Sequence, residues 1–481
     1  MPHQHHPETD RPTGHDPLPP VLLVLHGARG DLAKRLVLPA LADLSAAGLL
    51  PERWTLLGTG RREIDDHEFT DLVHDALEEF GHDGTEPDAL DGHLHYARSF
   101  TEDDPGDLVD AIAHATEDLT DGGDAPTVVH YLAVPPSAFA PTTRGLRAHH
   151  LTEGIRVVYE KPYGTSPESF EELDALVHEV LDEDQVFRID HFLGKEATQD
   201  LHVLRFGNEL FGGVWSAAHV AEVQIDLPET LDVADRAEFY DATGAALDML
   251  VTHMFQVAAE VAMEPPARFD AEHLAAARER VIGCFRPLDP AEDVVLGQFR
   301  GYRELADVAD DSTTDTFVAA RLWVDNDRWR GVPFLLRTGK RMARSAQQVT
   351  LVLRTPDTLF GEPNGPGRIA LSLAGDGAIR VTTTVKRPGP ELRLTTGTAS
   401  LALEDVDGHP LSAYGSLVHD VLTGDRSLFT TPEGLRAAWR AFAPLQGPER
   451  PAPEEYEPGG WGPSAADRLA GPEGWVLGGS D

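Results

Sequence analysis

Cys284 is the only cysteine among 481 residues, so neither an intramolecular disulfide nor a cysteine-based zinc site can form. That fits a reducing compartment and sets the expectation of a cytoplasmic protein. Basic residues are also scarce: 40 Lys and Arg stand against 81 Asp and Glu, for a formal charge of -41. Nucleic acid and anionic membrane would be repelled by such a chain and are not expected as partners. Small anions remain possible, because a few cations can dominate one cleft. No apolar run reaches the roughly 18 residues of a spanning helix. The opening "MPHQHHPETDRPTGHDPLPP" has neither the basic start nor the apolar centre of a signal peptide. We read residues 1–19 as a disordered tail, and no resident metal is expected anywhere in the chain.

What is present begins at residue 21, where short apolar runs alternate with helical patterns. "VLLVLHG", "WTLLG", "TVVHYLAV", "RVVYE" and "QVFRI" read as strands. "DLAKRLVLPALADLSAAGL", "DHEFTDLVHDALEEF" and residues 167–182 read as helices, with Pro39 expected to kink or end the first. Such alternation predicts a parallel sheet covered by helices on both faces, a Rossmann-like domain over 20–190. Beyond it, one long helical segment, 236–262, is expected to stop at Pro265-Pro266. Runs of period two follow: "TFVAARLWVDN", "VPFLLRTG", "QVTLVLR", "RIALSLA", "IRVTTTVK" and "ASLALED". They predict a large, mainly antiparallel sheet within a second domain, 191–481. Helical patterns at 411–423 and 432–444 precede a Gly- and Pro-rich tail, 447–481, expected to wrap the surface. The fold class is thus α/β plus α+β.

"LVLHGARGDLAKR" follows a strand and opens a helix. Gly27 and Gly30 permit a tight turn, Ala33 allows close helix–strand packing, and the free N–H groups at the helix start suit a pyrophosphate. A plain strand-to-helix turn reads the same way. The second strand ends "LLGTGRRE", with Arg61 and Arg62 where an NAD site usually carries a carboxylate. With Arg29 they suit a 2′-phosphate, although solvated surface arginines would look alike.

The segments "GARGDLAKR", "EKPYGTS", "RIDHFLGKE", "DMLVTHMFQ" and "GVPFLLRTGKR" occur in an order that resembles the glucose-6-phosphate dehydrogenase family, over about residues 20–465. "GGWGP" adds weak support. The resemblance implies oxidation of glucose 6-phosphate at C1 with hydride transfer to NADP, in a homodimer or homotetramer built on the large sheet. It implies His253 as general base and Asp190 as the carboxylate behind it. His191 and Lys195 match positions that hold the substrate phosphate; Glu229, Asp248 and Lys340 match sugar contacts. Lys161 matches a lysine touching both substrate and cofactor, and Pro162 helps shape the nicotinamide pocket. The cofactor set is then Gly27, Ala28, Arg29, Gly30, Asp31, Leu32, Arg61, Arg62, Lys161 and Pro162. The chemistry suits these residue types, since an imidazole accepts a proton near neutral pH and a carboxylate steadies the resulting charge.

Two positions depart from the family. Phe192 stands where tyrosine is common after "RIDH", and Ser345 stands where a second lysine is common, with Arg344 one residue earlier as a possible substitute. Competing readings are a dehydrogenase of another or unphosphorylated hexose and a non-catalytic NADP-binding regulator. The inositol- and glucose–fructose-type dehydrogenases share an "EKP" lysine, but their G-x-G-x-x-G pattern is not that of "GARGDLA".

Overall fold

The computed structural model describes residues 18–478, apart from 83, 121–122, 234–236, 358, 361–364, 409 and 472–473. Residues 1–17 of the expected tail lie outside the described residues.

The first sheet has six strands: β1 (Val21–His26), β2 (Trp54–Gly60), β3 (Leu94–Arg98), β4 (Thr127–Leu132), β5 (Ile155–Tyr159) and β6 (Val186–Arg188). All neighbours pair in parallel, in the order β3-β2-β1-β4-β5-β6. The order reverses between β1 and β4, which opens a crevice at the carboxyl ends of those strands. Every residue of β1 is buried, as expected of an apolar strand covered on both faces. β3 (LHYAR) escapes the sequence reading because it is short and half polar.

Pro39 does not end its helix. The segment from Asp31 runs through a π-helical turn, Ala33–Val37, into the α-helix Leu38–Ala46. Pro39 falls in the first turn of the α-helical part, where a missing N–H costs least. The helix expected over 167–182 is Pro167–His178, capped by Ser166.

The second sheet comprises β7 (Val220–Pro228), β8 (Val294–Phe299), β9 (Phe317–Trp323), β10 (Pro333–Gly339), β11 (Gln348–Leu353), β12 (Arg368–Ser372), β13 (Ile379–Lys386), β14 (Leu394–Leu401) and β15 (Glu454–Tyr456). Their order is β14-β13-β12-β11-β7-β10-β9-β8-β15, antiparallel except for β7–β10 and β8–β15. The register of β7 on β10 sets Asp226 opposite Arg337, and their side chains pair at 2.7 Å in the core. Of "ASLALED", only the start belongs to β14; Leu403–Asp405 is a 3-10 turn.

Two expectations need correction. The segment 236–262 is not one helix: Gly244 breaks it with φ 73, and a π-helical stretch, Ala246–Met254, follows before the α-helix Phe255–Ala262. The tail does more than wrap the surface. Tyr456, Ala466, Leu469, Trp475 and Leu477 are buried, and Trp475 lies 4.2 Å from the guanidinium of Arg337. The chain also returns to the first domain. Tyr414, Leu417, Val418 and Val421 of the helix Ala413–Thr423 enter the core that holds Leu23, Leu38 and Leu41.

Candidate active site

The site is built where the end of the first sheet meets the helical stretch before the second. Ile189 bonds back to Tyr159 as β6 ends, which delivers Asp190 and His191 to the carboxyl edge of the sheet. His253 comes from the π-helical stretch Ala246–Met254 and is 1% exposed. Its Nδ1 lies 2.7 Å from Oδ1 of Asp190, and its Nε2 lies 2.5 Å from the amino group of Lys161. Lys161, which precedes Pro162 directly, also reaches Asp248 at 3.2 Å. The His191 ring packs edge-on against His253, with centroids 4.5 Å apart.

The electrostatics follow from this crowding. Burial pushes Asp190 up to about 6, despite the offsetting charge of His191 and the Phe192 N–H. Burial, and then the Lys161 ammonium, hold His253 well below the ordinary imidazole range. The sequence-based picture of an imidazole at its ordinary value is thereby corrected: His253 is held toward its neutral form, with Nε2 facing the Lys161 ammonium. Burial alone would raise Asp248, but Lys161, His253 and Lys340 together hold it at about 2. Among the described residues Asp190, His191 and His253 each bring a ligand-type atom within 4.8 Å of the others. One of those contacts is the Asp190–His253 hydrogen bond, and Nε2 faces a cation. The group therefore reads as an acid–base pair.

The remaining expected substrate residues flank this pair. Lys340 bonds Glu229 at 2.5 Å and sits 5.7 Å from the Tyr240 ring. The Lys195 ammonium is bonded to Gln347 and lies 4.5 Å from the Phe192 ring. Burial lowers Lys195 to about 8. Ser345 is turned elsewhere, accepting from the Thr230 N–H at 2.9 Å, and Arg344 is exposed.

The glycine turn suits a dinucleotide. Gly27 has φ 76, and a Cβ there would stand 2.3 Å from the Ala133 carbonyl, so only glycine fits. Ala28 is buried, Gly30 closes the turn onto Gly27 at 2.8 Å, and Asp31 and Leu32 open the helix. Arg29 and Arg62 both act on the Tyr96 hydroxyl, with Arg61 exposed beside them. Arg29 lies in the turn after β1, Arg61 and Arg62 follow β2, and the Arg62 guanidinium lies 3.6 Å from Glu68.

Three contributors were not singled out from the sequence. Gln347 holds Lys195. Glu160 is buried beside Lys161 and accepts from Tyr131 at 2.7 Å and from Tyr414 at 3.4 Å. Tyr414 also stacks over His191, with centroids 6.3 Å apart. Glu160 stands in "EKP", where an acid beside a lysine reads as surface charge; its burial was the missing signal.

A dinucleotide-binding fold whose sheet edge presents a buried carboxylate–histidine pair, flanked by lysines and acids, has the make-up of a nicotinamide-dependent oxidoreductase. The comparisons give the particular family. Residues 24–200 match the glucose-6-phosphate dehydrogenase NAD binding domain, and residues 202–476 match the C-terminal domain of the same enzyme. The chain belongs to the glucose-6-phosphate dehydrogenase family. It is 36% identical over 467 residues to glucose-6-phosphate 1-dehydrogenase 1 of Mycobacterium tuberculosis, covering 94% of this chain and 96% of the relative. It is 32% identical over 480 residues to the glucose-6-phosphate 1-dehydrogenase of Aggregatibacter actinomycetemcomitans, with the same coverage. Among solved structures, glucose-6-phosphate 1-dehydrogenase from Mycobacterium avium superposes with a TM-score of 0.82 at 34% identity, over 95% of this chain and 98% of that one. A glucose-6-phosphate dehydrogenase in complex with glucose 6-phosphate gives a TM-score of 0.88 at 27% identity and the same coverage.

Proposed function

We propose that this chain oxidises glucose 6-phosphate at C1 to 6-phosphogluconolactone, the first oxidative step of the pentose phosphate pathway, with NADP as hydride acceptor. One observation carries the reading: His253, held through Nδ1 by Asp190 at 2.7 Å, turns Nε2 to Lys161, which also reaches Asp248, a carboxylate that feels the charge of Lys340. His253 takes the proton of the C1 hydroxyl at Nε2, and the O–H electron pair becomes the second bond of the lactone carbonyl. Asp190 steadies the imidazolium that forms. Positioned base catalysis of this kind is typically worth about 100- to 10,000-fold. Lys161 must first release Nε2, and Asp248 at 3.2 Å is its alternative partner. Glu229, Asp248 and Lys340 hold the sugar hydroxyls, while His191 and Lys195 hold the phosphate.

Gly27, Ala28, Gly30, Asp31 and Leu32 hold the pyrophosphate in this reading, and Arg29, Arg61 and Arg62 the 2′-phosphate. Lys161 and Pro162 border the nicotinamide, which when bound supplies the hydride acceptor. The exposed Val385 and Leu401 on the outer strands β13 and β14 support assembly through the large sheet, as a homodimer or homotetramer. No described helix is long and apolar enough to cross a membrane, and the single cysteine supports a cytoplasmic setting.

The phosphate end favours a second reading. With Ser345 turned to Thr230 and no hydroxyl on Phe192, His191 and Lys195 carry phosphate recognition, which would loosen the preference over unphosphorylated hexose. Absorbance at 340 nm with glucose 6-phosphate and with glucose, each with NADP and NAD, tests both readings. Turnover confined to glucose 6-phosphate supports the first; equal kcat/KM for glucose supports the second.

A further inference from the structure

Gly244 interrupts the helical run just before the stretch that carries Asp248 and His253, and what closes that break comes from two distant segments. Asp315, fully buried at the entry to β9, accepts from the Ala246 N–H at 2.6 Å through Oδ2. Its backbone carbonyl accepts from the Ala245 N–H at 2.8 Å. The opposite carboxylate oxygen pairs with the guanidinium of Arg450 in the C-terminal segment. A Cβ at Gly244 would lie 2.7 Å from Asp315 Oδ1, so the positive-φ glycine is what lets the chain pass over this carboxylate.

The next residue, Thr316, accepts from the Lys340 N–H at 2.9 Å. The Tyr456 hydroxyl donates to the Lys340 carbonyl at 2.6 Å. Residues 315–316 therefore fix the backbone on both sides of the sugar site, and 450–456 clamp them from behind. An unsatisfied helix start and a buried lone carboxylate are each costly, and this pairing removes both costs together.

We infer that Asp315 is a positioning residue that sets the register of Asp248 and His253 against Lys340 through its bonds to the Ala245 and Ala246 N–H groups, with Arg450 balancing its buried charge. The inference rests on the roles given above to Asp248, His253 and Lys340. Displacing a reacting group by even about 1 Å can cost on the order of 100-fold in rate, whereas the glycine turn for the cofactor is carried by other elements.

Two double variants test it without leaving a charge buried. Asp315→Ala/Arg450→Met removes the cap. Asp315→Asn/Arg450→Met keeps an amide oxygen able to accept from Ala246. The first is expected to lose on the order of 10- to 100-fold in kcat/KM for glucose 6-phosphate with NADP affinity unchanged. The second is expected to return most of that loss. Glucose 6-phosphate affinity by calorimetry should show the same contrast, so the inference is read separately from wild-type turnover, which reports on the site assignment. Equal behaviour of the two variants, both normal or both impaired, would overturn the inference, as would a parallel loss of NADP affinity.

Discussion

The amino group of Lys161 lies 2.5 Å from Nε2 of His253, the atom proposed to take the substrate proton. A cation at that point keeps the base neutral, and with burial it holds His253 well below its ordinary value. Removing the charge should let the imidazole protonate more readily. In Lys161→Met the acid limb of kcat/KM for the sugar is therefore expected to move to higher pH, along with a loss of rate. An acid limb unchanged from wild type would show that Lys161 does not set the state of the base.

The proposed NADP preference rests on Arg61 and Arg62, which follow β2. Arg61→Ala and Arg62→Ala are each expected to lower kcat/KM for NADP by about 10- to 150-fold, the worth of one charge-assisted contact. NAD should be nearly unaffected. Equal losses on both cofactors would remove these arginines from 2′-phosphate recognition.

Lys195 gives a pH dependence of opposite sense. Burial lowers it to about 8, so the free enzyme loses this positive charge as pH rises through that value. The KM for glucose 6-phosphate should climb above about pH 8, and Lys195→Arg should move the rise out of the measurable range, because guanidinium stays protonated. A KM flat between about pH 7 and 9.5 would contradict the assignment.

The two departures in the phosphate region predict opposite responses. Phe192 lies beneath the Lys195 ammonium, so Phe192→Tyr places a hydroxyl close to the phosphate and should lower KM by about 10-fold. Ser345→Lys should not help, because it breaks the bond to the Thr230 N–H beside Glu229. Steady-state KM for glucose 6-phosphate decides, with Arg344→Ala as the third arm. Improvement by Ser345→Lys, or severe impairment of Arg344→Ala, would show that the loop turns its cations onto the phosphate.

Much of the fold is legible in the sequence because β1, β2, β4 and β5 are apolar runs flanked by helical periodicity. β3 and β7 are not, because one is short and mixed and the other adjoins an irregular segment. Gly244 hides in a helical pattern, since a glycine there is tolerated; only its φ of 73 marks the break. His253 taken by itself reads as a core residue, and at 1% exposure it is as buried as one, so burial does not single it out. Its pairing with Asp190 follows from the resemblance to the family. Gln347, Tyr414 and Asp315 act through contacts between segments far apart in the chain, and no local pattern announces them.

His253→Asn decides whether His253 is the base. Asparagine keeps a polar group facing Asp190 but cannot take the proton. In this variant kcat should fall by at least about 100-fold, followed at 340 nm with glucose 6-phosphate and NADP, while calorimetry shows substrate affinity largely kept. Near-normal turnover in His253→Asn would contradict that role and return the residue to an ordinary place in the core.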